Sequence, residues 1–334
     1  MMIIDNKSIG TDQAAYIIAE IGINYNGSFD TAMKLLESAA RCGVDAVKFQ
    51  LVTAEKSYTM DSHSYSIFKK NELSFDEWEK IVNRARELDI TVFSTFANSY
   101  DLKYMKRLDL PAIKISSTNI TNFPFLESIA QLDRPVIIST GMSYLSEVDE
   151  AIRFLENKGL RKLGIMHCTS LYPASPESLN LRAIQTLRSA FPDYPIGFSD
   201  HTIGNHCAIA AVACGACIIE KHFTLDKQMN GPDHHFSANP RQMKVLVKSI
   251  REIELALGSS KKLPSTQEHS LRDQLRRSLV AAVNINQGQQ LKAEMLITKR
   301  SPIKGIEPRY LSLICGRYAR TDIPKDSAVT WDHI

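Results

Sequence analysis

CIIEKHFT, residues 217–224, opens like a buried strand and closes on Glu220, Lys221 and His222, three charged or metal-capable side chains in a row. The apolar character then collapses into LDKQMNGPDHHFS, residues 225–237. A strand that serves only as core has no use for such an ending, because a buried charge is costly unless it is paired or used. The reading turns on whether other strands of the chain end the same way.

They do. Short apolar, β-branched runs precede it at YIIAEIG (16–22), DAVKFQL (45–51), TVFSTF (91–96), AIKISS (112–117), PVIISTG (135–141), LGIMHCTS (163–170) and PIGFSDHT (195–202). Between them lie segments of helical period such as FDTAMKLLESAARCG (29–43), SFDEWEKIVNRARELD (74–89) and SEVDEAIRFLENKG (146–159), and RQMKVLVKSIREIELALG (241–258) follows the last strand. Eight strand-then-helix units within about 245 residues predict an α/β fold of the (β/α)8 TIM-barrel type. No Gly-rich phosphate fingerprint follows the first strand, which argues against an open doubly wound sheet.

The polar residues gather at the C-terminal ends of these strands: Glu20, Lys48, Thr95, Lys114, Ser139, Thr169, Ser199 with His201, and Glu220 with His222. A barrel brings those ends to one mouth, where its active sites are built. Side chains two apart share a face of a strand. Glu20, Gly22 and Asn24 are therefore expected to point together, as are Lys48 with Gln50, Ser199 with His201, and Glu220 with His222. The last two strands are neighbours, so His201 and His222 are placed to share one metal ion, while Lys221 turns toward the helix layer. Lysine is rarely buried without a partner, so Lys48 and Lys114 point to an anionic ligand.

The bulk composition excludes other classes. Forty basic residues against 37 acidic ones leave a net charge of +3, too even for a nucleic-acid partner. The densest basic cluster, LRDQLRR (271–277), reads as a solvated helical face. MMIIDNKSIG at the N-terminus lacks the pattern of a signal peptide, and the longest apolar run, 208–219, is 12 residues and too short to span a membrane. These features lead us to expect a cytoplasmic protein with no membrane partner. Six cysteines stand in apolar surroundings, and the Cys214–Cys217 CxxC has no second pair to make a zinc site, so they read as buried thiols.

Domain boundaries follow from composition. Residues 1–258 make the barrel, 259–275 have the Ser, Lys and Pro content of a linker, and 276–334 form a small, mostly β domain. In that domain INQGQQLKAEML (285–296) and IPKDSAVTWDHI (323–334) repeat one apolar pattern.

A run of motifs through the whole chain resembles the sialic acid synthase family. It includes AEIGINYNG (19–27), DAVKFQ (45–50), KKNELSFDEW (69–78), ISTGM (138–142), HCTSLYPA (167–174), GFSDHTIG (197–204), EKHFT (220–224) and GPDHHFS (231–237). RRSLVAA (276–282) and KRSP (299–302) continue it into a tail similar to the antifreeze-type SAF domain. The resemblance implies condensation of phosphoenolpyruvate with an N-acyl amino sugar, such as N-acetylmannosamine or a 2,4-diacetamido-dideoxy hexose, to a nonulosonic acid and phosphate. It implies a divalent metal, Mn2+ or Mg2+, held by His201 and His222, and a homodimer in which the SAF-like domain covers the partner's barrel. Glu20 then corresponds to the general base or water-orienting carboxylate. Lys48, Thr95, Lys114, Ser117, Ser139 and Ser199 correspond to the phosphoenolpyruvate shell, Tyr172 and Asp233 to sugar contacts, and Arg300 to an arginine reaching in from the partner.

The family pattern K-x-x-S-x-[DE] reads KISSTN here, so Asn119 stands where an acid is usual and is assigned to the acceptor side of the site. Ser170 likewise stands where some N-acetylmannosamine-using members carry Asn. A catalytically silent sugar- or phosphoenolpyruvate-binding paralogue, a synthase of another 2-keto-3-deoxy sugar acid, and a Schiff-base aldolase remain open readings at this point. The presence of Glu20, Lys48, Lys114, His201 and His222 together favours catalysis.

Overall fold

The computed structural model describes residues 2–334. The chain divides into two compact units, one ending at Gly258 and the other spanning Ser259–Ile334. In the first, β3 (Tyr16–Gly22), β4 (Ala46–Gln50), β5 (Thr91–Thr95), β6 (Ile113–Ile115), β7 (Val136–Ser139), β8 (Leu163–Cys168), β9 (Ile196–Asp200) and β10 (Ile218–His222) form a closed parallel barrel, β10 pairing back onto β3. All seven residues of β3 and all five of β10 are buried. Strands covered on both faces are the reason these segments read as continuous apolar runs rather than alternating ones.

The principal helices wrapping the barrel start where the chain supplies an N-cap. Ser28 accepts from the Thr31 amide at the head of α1 (Phe29–Ala40), and Ser74 with Glu77 forms a reciprocal capping box on α4 (Phe75–Glu87). Between β4 and α4 lie two short helices absent from the sequence reading, α2 (Ala54–Ser57) and α3 (His63–Lys70). The circuit continues through α5 (Leu102–Arg107), α6 (Phe123–Ala130), α7 (Leu145–Asn157), α8 (Ala183–Ala190), α9 (His206–Ala213) and α10 (Pro240–Leu257). The main core lies between barrel and helices, where Phe49 and Trp78 meet edge to face with ring centroids 5.4 Å apart.

Residues 2–9, in the stretch read above only as lacking a leader pattern, make a hairpin of β1 (Met2–Ile4) and β2 (Lys7–Ile9). Its Met2, Ile4 and Ile9 are buried with Tyr16, Ile18, Phe93, Ile137, Met166 and Ile218 inside the barrel, closing its floor. Each such side chain contributes roughly 1.5–3 kcal/mol by burial. The opposite end, the mouth, stays open to polar groups.

Three local expectations need correction. The pairing of β3 with β4 slips between Glu20 and Gly22, and Gly22 has φ of +56°. The bulge breaks the shared face expected for Glu20, Gly22 and Asn24: the Asn24 amide instead donates to the Phe223 carbonyl and to Ser237 Oγ. The fourth barrel strand ends at Ile115, so Ser117, expected at its end, lies instead on a 3-10 turn with Asn119. Strand β9 ends at Asp200, one residue before His201.

In the second unit the segment expected as a linker holds α11 (Thr266–Leu275), capped by Ser265 and Glu268. Strands β11 (Ser278–Ala281) and β12 (Leu296–Lys299) pair antiparallel, and α12 (Leu311–Ile314) packs Ile314 into a core with Leu279, Leu291, Ile306 and Val329. The internal repeat has a structural counterpart. Ile285 and Ile323 exchange backbone hydrogen bonds of 2.9 and 2.8 Å, and each is followed at the same offset by a 3-10 turn, Ala293–Met295 and Trp331–His333. No helix among the described residues is long and apolar enough to cross a membrane.

Candidate active site at the barrel mouth

Strand register sets the first contacts. Glu20 lies level with Lys48 and with His222, Thr95 with Lys114, and Glu220 with Ser199. The mouth they line, a cleft of about 160 Å3, also takes in Ser117, Ser139, Tyr172 and His201. A roomier cleft of about 690 Å3 opens at the N-terminal end of the barrel, beside residues 11–15 and α10. Its Arg251 and Glu254 are spent on each other, on Asp45 and on the Ala15 backbone. The mouth is where unspent chemistry collects.

Its centre is a buried cluster of two lysines and two carboxylates, each no more than 4% exposed. Lys48 Nζ lies 2.8 Å from Glu20 Oε2 and 3.6 Å from Glu220 Oε1, and donates to Thr95 Oγ1 at 2.8 Å. Lys114 Nζ sits 3.1 Å from Glu220 Oε2, and Ser199 donates to Glu220 Oε1 at 3.2 Å. Gln50 donates to Glu20 Oε1 at 2.9 Å. The Ser139 hydroxyl is buried with no hydrogen-bond partner among the described residues. Burial pushes the Glu20 carboxyl above its ordinary range, an effect Lys48 opposes and the Glu220 charge reinforces. Burial pushes Glu220 the same way, but Lys114 and Lys48 outweigh it and hold that carboxylate ionised. Both carboxylates keep Lys48 charged against its own desolvation.

The two histidines stand beside this cluster, ring centroids 5.5 Å apart. Burial holds His201 down at about 4 and His222 well below its usual value, so both are neutral at physiological pH. His201 Nδ1 donates to the Thr169 carbonyl at 2.7 Å, which leaves Nε2 with its lone pair. Tyr172 leans over His201 with the rings tilted by 35° and their centroids 4.2 Å apart, and the buried Phe236 packs against His222 at 5.0 Å. His222 Nδ1 is buried with no hydrogen-bond partner among the described residues. Two neutral imidazoles, one with an orphan nitrogen, fit a divalent ion that keeps most of its coordination positions open. Among the described residues no group of three or more His, Cys, Asp or Glu side chains could hold a metal, so a protein-closed structural site is not built here.

Three predicted residues stand apart from the lining. Asp233 lies on the loop after β10 with Oδ2 3.5 Å from His222 Nδ1, and its carboxyl is pushed up to about 6 by burial and by the Glu20 charge. The loop is pinned by His234, left unassigned by the sequence: its ring bonds Thr224 Oγ1 at 2.7 Å and Asn26 at 3.2 Å. Asn119 turns away from the mouth, donating to the Ala97 carbonyl and accepting from Asn122 Nδ2 at 3.0 Å. Its neighbours Ser116, Ser117 and Thr118 line the cleft instead. Arg300 belongs to the second unit, exposed one residue beyond β12. Lys221 points outward as expected and pairs with the buried Asp200 at 2.9 Å.

Sequence reasoning missed Tyr58, Phe68, Thr118 and Cys168 in the lining. Tyr58 and Phe68 stack at 5.1 Å on the α2–α3 excursion. The one available signal was the length of the stretch between Gln50 and Phe75, far beyond an ordinary βα loop. Cys168 ends β8 and touches Ser117 Oγ at 3.1 Å, a contact no periodicity announces.

Comparison with known proteins converges on one family. Residues 35–262 match the NeuB family model and residues 276–334 the SAF domain model. The N,N'-diacetyllegionaminic acid synthase of Campylobacter jejuni is 38% identical over 94% of this chain and 98% of that protein. The enzyme of the same name from Legionella pneumophila is 38% identical over 98% of this chain and 97% of that one. The crystal structure of N-acetylneuraminic acid synthetase from Leptospira borgpetersenii superposes with a TM-score of 0.77 at 32% identity, covering 81% of this chain and 94% of that one. With its eight-stranded barrel, its mouth of paired lysines, carboxylates and histidines, and its C-terminal SAF domain, the chain belongs to the NeuB family.

Proposed function

We propose that the protein condenses phosphoenolpyruvate with the open-chain aldehyde of an N-acyl amino sugar, giving a nonulosonic 2-keto-3-deoxy acid and phosphate. The observation that carries the reading is the buried pair Lys48 and Lys114, ringed by the hydroxyls of Thr95, Ser117, Ser139 and Ser199, beside two neutral histidines. Two ammonium groups and a ring of hydroxyl donors suit a small, densely anionic substrate carrying both a phosphate and a carboxylate. The names of the similar synthases support the same product class.

In this reading the lysines and hydroxyls hold phosphoenolpyruvate so that its C3 faces the aldehyde, which enters past Tyr172, Asp233 and the Tyr58–Phe68 platform. His201 and His222 would hold a divalent ion, whose chemistry is to draw electron density from the aldehyde oxygen. Carbon–carbon bond formation leaves positive character at C2. Glu20 orients the water that adds there and takes its proton, a task suited to a carboxyl held above its ordinary range. The tetrahedral carbon then expels phosphate by breaking its C–O bond. Lys48 and Lys114 carry the charge that collects on the departing phosphate.

The active assembly is a homodimer. Met142, Tyr144, Leu171 and Ile203, on loops at the mouth end of the barrel, expose 70%, 79%, 53% and 54% of their surface, an apolar rim suited to cover by a partner's SAF domain. A substrate as charged as phosphoenolpyruvate, which does not cross membranes unaided, supports a cytoplasmic location.

The test is phosphate release from phosphoenolpyruvate with manganese across N-acetylmannosamine and 2,4-diacetamido-dideoxy hexoses. Tight phosphoenolpyruvate binding without release for any acceptor would instead mark a silent paralogue. Oxygen-18 at the bridging position of phosphoenolpyruvate should leave with the phosphate. Unlabelled phosphate would mean P–O cleavage and would remove the water-orienting role from Glu20.

Asn119 should report on the acceptor. An Asn119→Asp carboxylate would face the Ala97 carbonyl and lose the amide's donated bond, loosening the turn at Thr118 while the Gly141 amide still holds the Ser117 hydroxyl. We expect the acceptor KM or acceptor preference to shift severalfold while phosphoenolpyruvate affinity stays within about threefold, since Lys114 lies on the preceding strand. A change confined to phosphoenolpyruvate would put this residue on the other side of the site.

A further inference from the structure

In the substrate-free mouth the groups assigned to an anion are already engaged by one. Glu220 sits among Lys114 Nζ at 3.1 and 3.3 Å, Lys48 Nζ at 3.6 Å and the Ser199 hydroxyl at 3.2 Å. We propose that Glu220 is a positioning residue that occupies the seat of the substrate's anionic group, holds both lysines while the site is empty, and competes with the product phosphate for them. The inference rests on the reading of the mouth as a phosphoenolpyruvate site.

Three features of the geometry support it. The cluster pairs two lysines with two carboxylates, Glu20 and Glu220, all within ion-pair distance. An incoming phosphate therefore gains little from the lysines until a carboxylate gives them up. Glu220 is the one whose yielding frees both, because it alone lies against both Lys48 and Lys114. Its Oε2, like that of Glu20, lies within ion-pair distance of a lysine but has no aligned hydrogen bond among the described residues, although the side chain is only 4% exposed. A buried oxygen left short of donors is costly, and a pair of that quality exchanges readily for a better one. Glu20, by contrast, lies against Lys48 alone, and that lysine also donates to Thr95.

The physical task of such a residue is twofold. Two ammonium groups buried without a counter-charge would repel each other and shed protons, so the empty site needs an anion of its own. The same anion keeps the site from becoming a trap. Phosphate released by turnover meets a carboxylate tethered at the seat, which recloses on Lys48 and Lys114 and helps to expel it. Binding of substrate and departure of product are then balanced by one side chain.

Glu220→Gln keeps the shape and an acceptor oxygen but removes the charge. Inorganic phosphate, titrated calorimetrically into the metal-free protein, should bind the variant about tenfold or more tightly than the wild type, because an unpaired buried ammonium gains most from a new partner. In turnover the inhibition constant for phosphate should fall by a similar factor. KM for phosphoenolpyruvate should fall and kcat should fall with it, a split that general loss of structure does not produce. The ligand-free variant should melt at a lower temperature than the wild type, and saturating phosphate should recover more of that loss than it adds to the wild type. Glu20→Gln is the internal comparison, with a smaller gain in phosphate affinity. Unchanged or weaker phosphate binding in Glu220→Gln would overturn the proposal, whatever reaction the enzyme performs. Tighter phosphate binding in a protein that releases none from phosphoenolpyruvate with any acceptor would leave Glu220 in this role and overturn the proposed reaction instead.

Discussion

Chelation of divalent ions is expected to abolish phosphate release from phosphoenolpyruvate, and added manganese to restore it. The expected loss is at least a hundredfold, since polarising a carbonyl oxygen supplies several kcal/mol and each decade of rate needs about 1.4 kcal/mol. The loss should be rapid and complete because the proposed site offers the ion two protein ligands, His201 and His222, and two neutral imidazoles bind a hard divalent ion weakly. It should be reversible because the strands that carry the histidines are fixed by the barrel: β10 pairs with β3 and β9 on either side, independent of any ligand. Manganese binding measured calorimetrically gives a readout apart from activity. His201→Ala and His222→Ala should each weaken it strongly without lowering phosphate binding at Lys48 and Lys114. Full turnover in the metal-free protein would remove the assignment of both histidines.

Mixing two dead enzymes should return activity. Glu20→Ala removes the water-orienting carboxylate from the barrel, and Arg300→Ala removes a planar, multi-donor guanidinium from the SAF domain. Each homodimer alone is expected to be nearly inactive. If Arg300 serves the partner's barrel, a heterodimer assembled by subunit exchange has one site with both defects and one with neither. Activity then recovers to about half the wild-type value per heterodimer, the fraction set by two-fold symmetry. If Arg300 serves its own barrel, every site keeps one defect and mixing rescues nothing. Demonstrated exchange without rescue would make the SAF domain a lid on its own subunit. The length of chain between Gly258 and β11 makes the trans arrangement feasible, although ten of those residues are helical in α11 and shorten its reach.

How much of this was legible before folding depends on how far apart the interacting residues lie. The barrel was readable because its evidence is local. A strand buried on both faces must be apolar along its length, and the place where it meets solvent must turn polar, so Glu20, Lys48, Thr95, Lys114, Ser139, Ser199 and His222 announced the mouth one strand at a time. The floor hairpin was not readable, since Met2, Ile4 and Ile9 become a plug only once the strands have closed around them. Asn24 shows the limit of alternation: a one-residue bulge at Gly22, invisible in the pattern, turns every side chain beyond it.

By itself, then, the sequence determined which residue types stand at the strand ends and on which face, because strand periodicity is a property of neighbouring residues. The tertiary structure alone decided how those types combine. Closure of β10 onto β3 sets Glu220 against Lys114, 106 residues away, and against Lys48, turning isolated charges into one balanced cluster. The α2–α3 excursion folds Tyr58 and Phe68 into the wall of the mouth, and a 3-10 turn rotates Asn119 out of it. Those outcomes depend on packing and hydrogen bonds between distant segments, and no local pattern in the chain encodes them.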